Sequence, residues 1–207
     1  MQKEACKTSV AEYLDREERS PVRHEYVDGE VHAMVGASRR HNLLVTKLLK
    51  HAAIAADRKE GCEVFSGSMK VHVAARNSFY YPDLSVCCDP QDREELYLTR
   101  PCLLIEVLSP STAGVDRREK RLSYATLQSL CEYVIVEQDR MRVTVYPSAG
   151  GPWLVRILNE PEDTLELSCL DLRLTLREIY AGVDLPAPGT LEPEAPAYEV
   201  LQDSASG

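Results

Sequence analysis

One short run constrains the fold of this chain more than any other: Cys102-Leu103-Leu104-Ile105-Glu106-Val107-Leu108. A nearly continuous apolar stretch of this length reads as a central strand buried on both faces. Glu106 is out of place there, because a carboxylate inside such a strand is costly unless it is paired, protonated or bound to a metal. Asp83 raises the same question in Tyr80-Tyr81-Pro82-Asp83-Leu84-Ser85-Val86. Pro82 has no N–H to give to a ladder, so it belongs at a strand start, an edge or a bulge, where Asp83 can point into a cleft. The chain between Asp83 and Glu106 is long enough for a hairpin that brings the two carboxylates together. So placed, they repel unless a hard cation such as Mg²⁺ sits between them.

The rest of the chain supplies the frame for that strand. Thr8 is a cap for a helix from Ser9 to about Arg19, ahead of Pro21. Asp28-Gly29, between strand-like residues, is a strong hairpin signal. Ser38 opens a long helix whose Leu43, Leu44, Leu48 and Ile54 recur at three- and four-residue spacing, ending near Glu60-Gly61. Strands are expected at Glu63–Phe65, Met69–Val73, Tyr80–Cys88, Glu132–Val136, Arg142–Tyr146 and Trp153–Ile157. Helices are expected over 114–128 and, briefly, 175–181. The pattern is mixed α/β, of the α+β kind, with one helix before the sheet and one crossing within it. We expect one domain over 1–183. A tail over 184–207, with prolines and acidic residues but no lysine or arginine, lacks the apolar material to order itself.

The formal charge of −9 argues against a general nucleic-acid coating protein but leaves room for a local basic groove. Arg39, Arg40, Lys47 and Lys50 on the long helix, with Arg117, Arg118 and Arg121 on the next, either line such a groove or make two solvated faces. No apolar run approaches the roughly 20 residues of a membrane helix, and no hydrophobic segment follows the first residues, so a cytoplasmic protein is expected. The seven cysteines form no C-x-x-C pair and read as reduced thiols packed among apolar residues. Cys87 and Cys88 have no histidine placed to activate them as nucleophiles.

Just beyond Glu106, Ser109-Pro110-Ser111-Thr112 breaks the strand and leads to Asp116, Lys120 and Tyr124, four residues apart and therefore on one helix face. That face either looks back over the end of the Glu106 strand, bringing the Lys120 ammonium to the carboxylates, or carries a surface Asp116–Lys120 ion pair. Glu30, after the turn, and His41, at the start of the long helix, are further candidates, each equally readable as an ordinary strand or helix-end residue.

Taken in order, Tyr81-Pro82-Asp83-Leu84-Ser85-Val86, Ile105-Glu106-Val107-Leu108-Ser109-Pro110-Ser111-Thr112, Asp116…Lys120…Tyr124 and Glu132-Tyr133-Val134-Ile135-Val136 resemble the Uma-type family of restriction-endonuclease-like proteins. So do His24-Glu25-Tyr26-Val27-Asp28-Gly29-Glu30 and His41. That family lies within the PD-(D/E)XK nuclease superfamily, and the likeness covers residues 8 to 180. It implies a restriction endonuclease-like core, a mixed central sheet flanked by helices. It also implies Mg²⁺- or Mn²⁺-dependent hydrolysis of phosphodiester bonds in double-stranded DNA. Asp83 and Glu106 match the two motif acids, and the resemblance implies that they hold the metal together with the Val107 carbonyl. The lysine expected two residues after Glu106 is Leu108; Lys120 matches a relocated lysine. The implied catalytic set is Asp83, Glu106 and Lys120; the reading of the chain itself adds Glu30, His41 and Tyr124 in support and Arg39, Arg40, Lys47, Arg117 and Arg121 toward the substrate. A homodimer would suit cleavage of both strands. The other reading is a catalytically inactive scaffold that keeps the fold as a binding or assembly module, to which Leu108 and the acidic charge point.

Overall fold

The computed structural model describes residues 7–34, 36–108, 114, 116–147 and 155–187 and, of residues 116 and 117, the backbone alone. Helix α1 (Val10–Arg19) is opened by Ser9, one residue after the expected Thr8. The Ser9 hydroxyl accepts from the Glu12 N–H, and the Glu12 carboxylate accepts in return from the Ser9 N–H, a reciprocal cap. Strands β1 (His24–Val27) and β2 (Glu30–Ala33) form the expected hairpin. The pair Val27↔Glu30 leaves a two-residue loop, with Asp28 at φ 45° and Gly29 at φ 98°. Both angles are left-handed, as a type I′ turn requires for its twist to match the strands. A Cβ at Gly29 would also lie 2.7 Å from the Cβ of Lys7. Gly29→Ala is therefore expected to destabilise the fold by about 1–2 kcal/mol. Urea unfolding checks this, and an unchanged midpoint would mean that the turn relaxes without strain.

Helix α2 (Arg39–Ala56) starts at Ser38, as expected, and buries His41, Leu44, Leu48, Ala52, Ala55 and Ala56 along one stripe. It stops short of Gly61, because the chain leaves helical pairing after Asp57. The strands that follow are β3 (Glu63–Ser66), β4 (Lys70–Val73), β5 (Ser78–Tyr80), β6 (Leu84–Cys87), β7 (Tyr97–Leu98) and β8 (Leu103–Leu108). A π-helical turn (Asp116–Lys120) then runs into the single turn α3 (Arg121–Tyr124), well short of the helix expected to reach residue 128. Strands β9 (Glu132–Glu137), β10 (Val143–Pro147), β11 (Arg156–Leu158), β12 (Thr164–Leu167) and β13 (Leu172–Thr175) precede α4 (Leu176–Tyr180). The strand break expected at 109–112, the first residues of the strand expected at 153–157, and residues 188–207 of the expected tail lie outside the described residues.

Three sheets result, in the orders β2-β1-β5-β4-β7, β11-β10-β9-β8-β6-β3 and β12-β13. The six-stranded sheet is mixed: β8 runs parallel to β9 and antiparallel to β6. All six residues of β8 are buried, as its apolar run foretold. Leu103, Ile105 and Val107 face the stripe of α2, in a core shared with Leu44, Leu48, Leu84, Val86, Val134 and Val136. Leu104 and Leu108 face a second core with Val71, Tyr80, Tyr124, Tyr133 and Ile135, where β4, β5 and the α3 segment cover the sheet. Strand alternation sets Glu106 on this second face, beneath Tyr124.

The run Tyr80–Cys88, expected as one strand, is divided. β5 ends at Tyr80 in the five-stranded sheet, and β6 begins at Leu84 in the six-stranded one. Tyr81-Pro82-Asp83 is the passage between the sheets, because Pro82 cannot extend either ladder. The cysteines also depart from expectation, since Cys62 and Cys88 form a disulfide. Among the described residues, no helix is long and apolar enough to cross a membrane.

Candidate active site

The last registered pair of β6 and β8 is Leu84↔Ile105. One step further, the antiparallel order sets Asp83 opposite Glu106. There β6 has ended, and the Val107 N–H that would have entered a ladder donates instead to Asp83 Oδ2 at 2.7 Å. The same oxygen lies 3.1 Å from His41 Nε2, at the first turn of α2. Asp83 is thereby held from both sides, by the sheet edge and by the helix. Its Oδ1 has no hydrogen-bond partner among the described residues, and the side chain is about a fifth exposed, at 21%. His41 was a secondary candidate, and the structure brings it to Asp83. Its Nδ1 is buried with no partner among the described residues, so the tautomer that carries its proton on Nε2 suits this arrangement, donating to Asp83.

Across the strand end, Lys120 Nζ donates to Glu106 Oε1 at 3.1 Å, and the Tyr124 hydroxyl donates to the same oxygen at 3.1 Å. The four-residue spacing of Lys120 and Tyr124 thus converges on one carboxylate. The wide π-helical turn ends at Lys120, and such turns recur where a helix must re-aim a side chain at a functional site. The ammonium is buried and also lies 2.9 Å from Glu25 Oε1. Burial, and then the neighbouring Glu106 charge, push the Tyr124 phenol well above its usual range, so it stays a proton donor. The ammonium also stands 5.8 Å from the centre of the Tyr80 ring, whose face favours a cation.

Glu25 is the residue that sequence reasoning missed. Its Oε1 accepts both from Lys120 and from the Tyr81 N–H, at 3.2 Å, so β1 reaches the passage that carries Asp83. The alternation of β1 sets Glu25 and Tyr26 on opposite faces, and packing decides which face meets the site. Tyr26 packs beneath α1 with Tyr13 and Phe79, whereas Val27 belongs to the core around Tyr124, which sets Glu25 on the site-facing side. Glu30, the acid expected from this hairpin, is not at the site. It opens an edge strand exposed along its whole length, and its near neighbour is His32 at 3.6 Å.

The basic residues are brought together only in part. Arg39 is exposed at the start of α2 and Lys47 is half-buried. Arg40 is tied to Asp139 at 2.5 Å, and Arg121 lies over the Tyr146 ring at 5.6 Å. The side chain of Arg117 lies outside the described residues. Two members of the set are thus engaged within the chain. There is no cysteine nucleophile at Cys87 or Cys88. Burial pushes the Cys87 thiol up to about 11, and Cys88 is in the disulfide.

Among the described residues, no three His, Cys, Asp or Glu side chains gather closely enough to cage a metal by themselves. What the strand end offers is an incomplete, all-oxygen set: Asp83 Oδ1, the Glu106 carboxylate and the Val107 carbonyl. In a strand, a residue's N–H and C=O lie along the same edge. The Val107 carbonyl therefore faces the gap into which its N–H donates. Hard oxygen donors completed by water and phosphate fit Mg²⁺, which keeps much of its hydration and favours one or two carboxylates over a full protein cage.

A family model described as "Putative restriction endonuclease" (Uma2) matches residues 10–177. The chain belongs to the Uma2 family. Two proteins of Synechocystis sp. are similar to this Uma2 chain. "Uncharacterized protein slr1290" is 36% identical over 182 residues, covering 86% of this chain and 93% of the relative. "Uncharacterized protein sll1609" is 32% identical over 168 residues, covering 79% and 94%. Among solved structures, a "putative nuclease belonging to DUF820" from Anabaena variabilis superposes with a TM-score of 0.68 at 17% identity, covering 81% of this chain and 96% of that one. At that identity the likeness is one of fold, and the expected mixed sheet flanked by helices holds.

Proposed function

We propose that this Uma2 protein is a metal-dependent endonuclease that hydrolyses phosphodiester bonds in double-stranded DNA, with Asp83, Glu106 and Lys120 as its catalytic residues. The observation that carries the reading is the meeting of Lys120 and Tyr124 at Glu106 Oε1, one register step from Asp83. The reading of an inert scaffold leaned on Leu108 in place of the motif lysine. Lys120 supplies the amine that Leu108 lacks, which favours the enzyme. The family description and the nuclease fold of the Anabaena protein support hydrolysis of nucleic acid.

In this reading Asp83, Glu106 and the Val107 carbonyl hold Mg²⁺ or Mn²⁺. Bound there, the ion would supply Lewis-acid activation of water and neutralise charge at the scissile phosphate. His41 and the Val107 N–H fix the Asp83 carboxylate so that Oδ1 faces the gap. Lys120 orients the attacking water and stabilises the negative charge that develops on the phosphate. Glu25 and Tyr124 keep the ammonium and Glu106 in place. The start of α2, with exposed Arg39, offers the positive end of a long helix to the DNA backbone. In this reading the protein acts in the cytoplasm, and a two-fold homodimer would present one site to each strand.

Nicking of supercoiled plasmid at low salt with Mg²⁺ or Mn²⁺ tests the reading. Cleavage is expected from the wild type, abolished by EDTA and lowered roughly 100-fold or more in Glu106→Gln. Absence of both cleavage and cation binding in the wild type would return the protein to the inert-scaffold reading.

A further inference from the structure

At the end of the sheet opposite the candidate active site, three sulfur atoms lie in sequence. The register pair Glu63↔Cys87, carried one step outward, sets Cys62 opposite Cys88, and these two are bonded. Cys102, at the start of β8, has its Sγ 3.7 Å from Cys88 Sγ, at van der Waals contact. Cys169, in the 3₁₀ turn Ser168–Leu170, has its carbonyl oxygen 4.0 Å from Cys88 Sγ. Cys102 is buried, whereas Cys62, Cys88 and Cys169 are each partly exposed. A partly exposed disulfide therefore rests on a buried thiol.

We propose that Cys62, Cys88 and Cys102 form a thiol–disulfide exchange centre, in which the bridge passes from Cys62–Cys88 to Cys88–Cys102. The Cys102 thiolate attacks Cys88 Sγ; the Cys88–Cys102 bond forms, the Cys62–Cys88 bond breaks, and Cys62 leaves as a thiolate that takes up the proton lost by Cys102. The step keeps one disulfide and one thiol, so no outside oxidant or reductant is consumed. The direction follows from the contact of Cys102 Sγ with Cys88 Sγ, because attack requires a thiolate already touching the sulfur it attacks.

The exchange changes which strands are tied together. Cys62–Cys88 pins β3 to β6, whereas Cys88–Cys102 pins β6 to β8. Those last two strands lead directly to Asp83 and Glu106. The centre stands apart from the nuclease reading, and its test needs no activity assay.

The full-length chain, purified without reductant, is incubated folded at pH 8 with excess N-ethylmaleimide, quenched in acid, digested and mapped by mass spectrometry. Exchange exposes the Cys62 thiol, so Cys62 is expected to accumulate the label while a Cys88–Cys102 linkage appears. In Cys102→Ala, labelling of Cys62 is expected to slow by roughly tenfold or more, since the internal nucleophile is gone. Circular dichroism verifies that the variant is folded, and Cys102→Ser replaces it if it is not. Three results would overturn the proposal. One is Cys62 unlabelled with Cys102 alkylated or free; another is equal labelling of Cys62 in wild type and variant. The third is one tightly held Zn²⁺ per chain with Cys62, Cys88 and Cys102 all reduced, which would make the cluster a soft-metal site.

Discussion

Lys120→Ala is expected to lower metal-dependent plasmid cleavage by about 10²–10³-fold, the scale for loss of one preorganised charge stabiliser. It is also expected to reduce stability by about 3–5 kcal/mol, because removing one partner of a buried ion pair leaves the other charge uncompensated. Here two carboxylates, Glu106 and Glu25, lose their ammonium inside the protein. For a chain of this size such a loss lowers the Tm by roughly 10 °C. Activity and folding are separated by Lys120→Arg. That variant keeps the positive charge beside both carboxylates and so recovers much of the stability. Its planar, branched head group cannot place a compact ammonium at the same point, so cleavage is expected to remain low. Calorimetric melting and plasmid nicking on both variants check the pair of effects. A Lys120→Ala protein that cuts DNA at the wild-type rate removes Lys120 from the mechanism.

Asp83→Asn is expected to separate the structural from the chemical role of the other acid. The amide oxygen can still accept the Val107 N–H, so stability should change by no more than about 1 kcal/mol. The negative charge is gone, and with it the hard-cation donor at the strand end. Cleavage is expected to fall by about 10²–10³-fold, and Mg²⁺ or Mn²⁺ binding measured by titration calorimetry is expected to disappear. Asp83→Ala, by contrast, strands the Val107 N–H and removes the partner of His41, adding about 1–3 kcal/mol of destabilisation. If Asp83→Asn binds the cation as the wild type does, the gap between β6 and β8 is not the metal position.

The elements legible in the amino-acid order are those set by short-range rules. The hairpin at Asp28-Gly29 follows from the positive φ angles that only a few residue types tolerate. The buried strand β8 follows from its unbroken apolar run, and the oddity of Glu106 from the same run. That Lys120 and Tyr124 share one face follows from helical spacing. Asp83 beside a strand break follows from the missing N–H of Pro82. Each of these depends on neighbours within a few residues, so the local chemistry was sufficient.

What needed the tertiary structure is what joins distant segments. Pro82 announced a break, but not that the run from Tyr80 to Cys88 is shared between two sheets. Glu25 and Glu30 flank the same turn, and only the packing of β1 under α1 and against the Tyr124 core decides that Glu25 meets Lys120 while Glu30 stays on an exposed edge. The same holds for His41 at Asp83, for Arg40 drawn to Asp139, and for the contact of Cys102 with the Cys62–Cys88 bridge. Spacing along the chain specifies which face of an element a side chain occupies; which other element covers that face is settled by the burial of all of them at once, and no local pattern carries that information.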